Sequence, residues 1–253
     1  MQLNKITMAQ KILIIGACGQ IGSELTYKLR SIHGDDNVIA SDINYNNLDV
    51  VNSGLFEIVD AQDYGSILLC VEKHNIDTIY LMAAMLSATG EKYPMKAWDL
   101  NMNSLFHVLN LAKAKFINKV FWPSSIAVFG PTTPKDATPQ DTVMAPTTVY
   151  GITKQVGERW CEYYFDKYGV DVRSIRYPGI ISWKTMPGGG TTDYAVEIFH
   201  KAITDGQYES FLSENTELPM MFMDDAIDAT IQIMDAPANQ LTIRSSYNLA
   251  ALS

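Results

Sequence analysis

Three glycines at three-residue spacing, Gly16, Gly19 and Gly22, constrain this chain more than any other feature. Ahead of them Ile12 to Ile15 form an unbroken apolar run, the pattern of a parallel strand buried on both faces. Behind them Ile21, Leu25 and Leu29 recur at helical spacing. The segment reads as strand, tight turn and helix. Gly16 permits the turn, Gly19 lets backbone approach a pyrophosphate, and Gly22 lets the helix lie against the strand. The helix N-terminus, where Gln20 and Ile21 stand, offers unpaired N–H groups and a dipole that favour the phosphates. With 16 glycines in 253 residues, chance supplies such a triplet only about 0.06 times per chain.

The residues that follow agree with a dinucleotide site. Asn37–Ser41 reads as a second strand that ends at Asp42, where a carboxylate accepts hydrogen bonds from a ribose 2′-hydroxyl and repels a 2′-phosphate. That favours NAD over NADP. Leu55–Ile58 and Ile67–Val71 suggest a third strand and helix, with Asp60 between them where such folds hold the adenine; a solvated loop aspartate reads equally well. Thr78–Met82 is a fourth strand, and the small Ala83 and Ala84 after it let a cofactor lie against backbone. Ala97–Lys115 is a long helix whose apolar stripe is interrupted by Asn101 and Ser104, either supports for the site or polar residues of the core.

Lys119–Trp122 is a fifth strand, stopped by Pro123 and followed by Ser124 and Ser125 at its carboxyl end, where parallel strands face ligands. Val149–Tyr168 is a second long helix and Asp171–Tyr177 a sixth strand. Strands alternating with helices predict an α/β fold, a Rossmann-type doubly wound parallel sheet over residues 9–181. A substrate-side segment, 182–218, carries the glycine-rich loop Pro187–Thr192, expected to close over substrate, and a helix over Asp193–Ile203. Residues 219–250 partly return to the core through strand Met220–Met223, helix Asp225–Met234 and strand Ser246–Leu249.

A formal net charge of −9 argues against nucleic acid and anionic membranes as partners. No apolar run reaches the roughly 18 residues of a membrane helix. Cys18, Cys70 and Cys161 are odd in number and scattered, as in a reducing compartment, and the expected location is cytoplasmic. The four histidines form no cluster, and no metal is expected.

Tyr150 and Lys154 open the second long helix and share one of its faces. A phenol titrates near pH 10, and an ammonium within about 4–6 Å is expected to lower that value. With a hydroxyl donor such as Ser125, the pair makes a base that removes an alcohol proton while hydride leaves for a nicotinamide. The spacing by itself is common, about 0.7 pairs by chance, and Tyr163 and Lys167 share it. Position at the helix start, after the loop that follows the fifth strand, selects Tyr150.

Gly16-x-x-Gly19-x-x-Gly22, Asp42, Ser124-Ser125, Tyr150-x-x-x-Lys154 and Arg176-Tyr-Pro-Gly179 together resemble the extended short-chain dehydrogenase/reductases, from Lys11 to about Asp235. Within them, Pro123–Gly130, Arg176–Ser182 and Pro187–Tyr194 are similar to the L-threonine 3-dehydrogenases. The resemblance implies oxidation of the threonine 3-hydroxyl with NAD. It makes Tyr150 the base, Lys154 its electrostatic partner and Ser125 the hydroxyl donor. Ser87, Gly189, Thr191 and Thr192, with Ser125 and Tyr150, would hold the amino acid, and Asn101 and Tyr177 would join the cofactor contacts. Members usually carry Thr where Ser125 stands, and their chains run well past the strand near Leu252.

Two alternatives set the limits. A nucleotide-sugar epimerase or dehydratase would need basic side chains for a second pyrophosphate. After Gly179 the chain offers only Lys184, Lys201 and Arg244 against Asp193, Glu197, Asp205, Glu209, Glu214 and Glu217, among others, a balance that suits a small zwitterion. A non-catalytic NAD-sensing module would have no use for the Tyr, Lys and Ser set. Apolar bulk on the two long helices, at Trp98, Phe106, Val156, Trp160 and Tyr164, predicts a two-fold homodimer built from four helices.

Overall fold

A computed structural model describes residues 10–184, 192–210 and 212–249. The first half alternates strand and helix: β1 (Ile12–Ile15), α1 (Gln20–His33), β2 (Val38–Asp42), α2 (Leu48–Asn52), β3 (Phe56–Ile58), α3 (Tyr64–His74) and β4 (Thr78–Leu81). Then come α4 (Ser87–Lys92), α5 (Pro94–Lys113), β5 (Lys119–Phe121), β6 (Ser124–Ser125), α6 (Val149–Tyr168), β7 (Asp171–Arg173) and β8 (Ile175–Tyr177). The last elements are β9 (Gly179–Ile181), α7 (Tyr194–Thr204), β10 (Met220–Phe222), α8 (Met223–Asp235) and β11 (Tyr247–Asn248).

Six strands form one parallel sheet in the order β3-β2-β1-β4-β5-β7. The order turns back on itself at β1 and β4, so a crevice opens at their carboxyl ends. The pleat of β1 divides the core in two. Leu13 and Ile15 face the cluster under α3, α5 and α6, while Ile12 and Ile14 face the cluster that includes Leu25 and Leu29 of α1 and Met223, Ala226 and Ile227 of α8. All four β1 residues are buried, which is why the strand reads as a continuous apolar run.

The long helices have chemical ends. Thr148 caps α6 by accepting from Gly151 N–H, and Gly169, with φ +66°, closes it. Pro94 starts α5 one turn earlier than the apolar stripe suggested, because proline suits a first helical position. The expected sixth strand is interrupted at Ser174, and β6 and β8 lie beyond the breaks in a separate small sheet with β11. Pro123 has no N–H to give the ladder. The register nevertheless carries through: Phe121 pairs with Arg173, and Ser124 with Arg176.

Gly157 of α6 lies against the buried Trp122. A methyl there would come 2.3 Å from Cη2 and 2.5 Å from Cζ2 of the ring. Gly157→Ala is therefore expected to destabilise by about 1–3 kcal/mol through overpacking, outweighing the gain in helix propensity of up to about 1 kcal/mol. A lowered urea midpoint checks this, and an unchanged or raised one contradicts it.

Candidate active site

The glycine turn is built by close approach. Gly16 has φ +91°, and a Cβ on it would lie 2.5 Å from Ala83 N. A Cβ on Gly22 would lie 2.2 Å from Gly16 O, so α1 packs directly on the turn. Ser41 O accepts from both Gly16 and Ala17 N–H, and Asp42 Oδ2 accepts from Cys18 N–H at 3.0 Å. The turn and the end of β2 are thereby tied together. Beside them a cavity of about 290 Å³ is lined by Gly16, Gly19, Asp42, Asp60, Ala83 and Ala84, six of the residues singled out by sequence. Val59, Ala61, Gln62 and Leu100 also line it, with no signal of their own in the sequence. Asp60 Oδ1 accepts from Gln62 N–H, which turns the loop around the cavity edge.

The cavity fits a dinucleotide. Gly19 caps α1 with no side-chain acceptor, and the buried Gln20 Nε2 at that helix start has no partner among the described residues. Both leave donors at the point where a pyrophosphate would sit. Ile21 packs partly against the α1 core cluster. Asn101 is committed elsewhere: its amide accepts from Met85 N–H, and donates to Met85 O and to Thr153 Oγ1. It pins the loop after β4 to α5 and α6. Tyr177 is buried among the core residues, and its hydroxyl pairs with Thr230.

Across the crevice, Ser125 stands beside Tyr150, near enough to favour the phenolate, and its hydroxyl oxygen accepts from Ala127 N–H at 3.2 Å. Lys154 Nζ lies 5.4 Å from the Tyr150 ring centroid, 4.5 Å from that of Trp122, and donates to Pro123 O at 2.6 Å. The structure thus brings Tyr150, Lys154 and Ser125 together. It departs from expectation in their charge. Burial pushes the Tyr150 phenol up to about 12, against which the Ser125 hydroxyl acts. Burial also pulls the Lys154 ammonium down to about 7, against which Cys161 and Glu158 act. One loss of solvation disfavours both charged forms, and it outweighs the mutual attraction.

Of the substrate-side residues, Ser87 is the first residue of α4. Thr192 packs on Gly179, whose added Cβ would lie 2.7 Å from Thr192 Cβ. Gly189 and Thr191, and with them most of the Pro187–Thr192 loop, lie outside the described residues. Among the described residues no three His, Cys, Asp or Glu side chains are grouped to hold a metal, and no helix is long and apolar enough to cross a membrane.

A parallel sheet with its crevice at the β1–β4 switch, a glycine cradle and a tyrosine–lysine helix define a dinucleotide-dependent enzyme. The chain belongs to the NAD dependent epimerase/dehydratase family, whose model matches residues 12–250. Its cofactor is NAD. It is 50% identical over 245 residues, 96% of this chain and 77% of the relative, to an uncharacterized epimerase/dehydratase of Staphylococcus haemolyticus. Among solved structures it is 58% identical to a GalE-like L-threonine dehydrogenase from Cupriavidus necator in its holo form, with a TM-score of 0.91 over 95% of this chain and 78% of that one. An L-threonine dehydrogenase from Clostridium difficile is 48% identical, with a TM-score of 0.92 over 96% and 76%. A UDP-glucose 4-epimerase from Thermotoga maritima, 20% identical over 95% of this chain and 76% of that one at a TM-score of 0.82, shares the fold.

The state of Lys154 has a measurable consequence. In the unfolded chain the amine keeps its proton up to its ordinary 10.5, while in the folded protein it loses it near 7. Between those values the unfolded state binds more protons, so stability rises with pH, by at most about 1.4 kcal/mol per unit from this group. Lys154→Met lacks that contribution. The stability of wild type relative to the variant is expected to grow from pH 7 to pH 9 in urea titrations; a difference that stays flat contradicts it.

Proposed function

We propose that this enzyme oxidises the 3-hydroxyl of L-threonine to 2-amino-3-oxobutanoate with NAD. The observation that carries the proposal is Lys154 Nζ 5.4 Å from the Tyr150 ring, with Ser125 of the segment after β5 beside the phenol. The similarity to solved L-threonine dehydrogenases supports the substrate. The scarcity of cations after Gly179 supports a small zwitterion over a nucleotide-sugar. When bound, NAD supplies the acceptor for the hydride leaving the alcohol carbon.

In this reading Ser125 orients the substrate hydroxyl and Tyr150 takes its proton. Lys154, one turn along, stabilises the phenolate form by charge and passes the proton onward. A negative phenolate and a positive ammonium formed together satisfy each other, which neither does alone in a buried place. Ser87 and Thr192, with Gly189 and Thr191 of the glycine loop, hold the carboxylate and amine of the substrate. Gly16, Gly19, Gln20, Ile21 and Gly22 hold the pyrophosphate, Asp42 a ribose and Asp60 the adenine end, with Ala83 and Ala84 beneath. Asn101 supports that surface from below, and Tyr177 from the core. The enzyme works in the cytoplasm as a homodimer. Trp98 and Trp160 are 38% and 36% exposed on α5 and α6, which supports a second copy against these helices, whereas Tyr164 packs in the core of its own subunit.

Tyr150→Phe is expected to lower kcat by about 10²–10⁴-fold, with NAD affinity by fluorescence quenching changed less than about twofold. Turnover that survives the substitution removes Tyr150 as the base. Substrate choice is read from NADH formation with threonine, serine, 3-hydroxybutyrate and a UDP-sugar. Threonine is expected to give the highest kcat/KM; a UDP-sugar that alone is turned over assigns nucleotide-sugar chemistry. Gel filtration is expected to show a dimer, and a monomer at all concentrations refutes that assembly.

A further inference from the structure

Tyr150, Lys154 and Glu158 recur every fourth residue of α6, so three successive turns present them on one face. Each holds one residue of a single segment. Tyr150 has Ser125 beside it, Lys154 Nζ donates to Pro123 O, and Ser124 Oγ donates to Glu158 Oε1 at 2.6 Å. Glu158 is fully buried and Arg176 is 2% exposed, and the two are joined in a fork: Nε to Oε1 at 2.9 Å and Nη2 to Oε2 at 2.8 Å. Arg176 stands directly opposite Ser124 in the β6–β8 ladder. Its Nη1 donates to Gln140 O and Asn248 Oδ1, which brings the loop before α6 and strand β11 into the same network.

A buried ion pair is a weak source of stability, because removing two charges from water offsets most of their attraction. Its geometry, however, is directional. It fixes both oxygens of Glu158, and through Oε1 it fixes the hydroxyl of the residue adjacent to Ser125. We infer that Glu158 and Arg176 are positioning residues for the reaction: by holding Ser124 they set where the Ser125 hydroxyl stands against Tyr150, and so where a substrate hydroxyl is held. This rests on the reading of Tyr150 as the base.

The test uses the NAD-loaded enzyme and the double variant Glu158→Gln/Arg176→Met, which leaves no unpaired buried charge. The expected result is a fall in kcat of about 10–100-fold, as for a misplaced reacting group, with the Kd for NAD within about twofold of wild type. Ser124→Ala is expected to lower kcat in the same direction and Ser124→Thr, which keeps the hydroxyl, to restore it; these variants carry the test if the double variant does not fold. A purely structural role predicts instead a lower Tm with kcat per folded enzyme unchanged, and that result overturns the inference. If wild type does not oxidise threonine, the proposed substrate fails, and the inference is read separately. The ¹³Cζ resonance of Tyr150, assigned with Tyr150→Phe, is expected to shift in Ser124→Ala as the Ser125 hydroxyl beside it is disturbed. An unmoved resonance overturns the inference.

Discussion

Helix α6 grips the end of a strand, and the chemistry of the site depends on that grip. The residues of segment 123–125 are held by side chains from three turns of one helix face. The arrangement requires the helix to lie close, and two glycines allow it. Gly157 admits the edge of Trp122, and an added Cβ on Gly151 would come 2.2 Å from Ala127 O. Larger residues at either place would push away the helix that carries Tyr150 and Lys154. The same logic governs the cofactor side, where Gly16 against Ala83 and Gly22 against Gly16 bring backbone to backbone. The protein builds both halves of its crevice by removing side chains where walls meet.

Burial then decides the charge state. A tyrosine and a lysine in water would differ little from their ordinary values. Withdrawn together into the crevice, the phenol rises and the ammonium falls. At neutral pH the phenol keeps its proton, while the ammonium stands at the point of losing its own. One turn beyond Lys154, Glu158 is paired with Arg176 at 2.8 Å and acts against the fall of the Lys154 ammonium.

The first half of the fold is legible in the sequence because its signals are local. A four-residue apolar strand, a glycine turn and a helical stripe specify β1 and α1 without reference to the rest of the chain. The limits of α6 are equally local, with Thr148 and Gly169 at its ends. Six cofactor-side residues meet around one cavity for the same reason: they sit at strand ends, and parallel strands in a doubly wound sheet all end on one edge. Longer-range features are not written locally. The break at Ser174 depends on how the β5–β7 ladder stops before Pro123 and resumes beyond it as β6–β8. Asn101 looks like any polar residue on an apolar stripe until Met85 and Thr153 are brought to it. Glu158 reads as a charge inside a helix, and only the fold shows that it faces Ser124 and Arg176 rather than water. Its i+8 spacing from Tyr150 is the one trace in the sequence.

The most direct test of the central claim follows the hydrogen itself. L-Threonine deuterated at C3 is turned over by the enzyme with NAD, and the NADH is analysed by mass spectrometry. If hydride leaves C3 for NAD as Tyr150 takes the unlabelled hydroxyl proton, each NADH carries one deuterium, transferred as deuteride. NADH without the label, or label lost to solvent, contradicts the account.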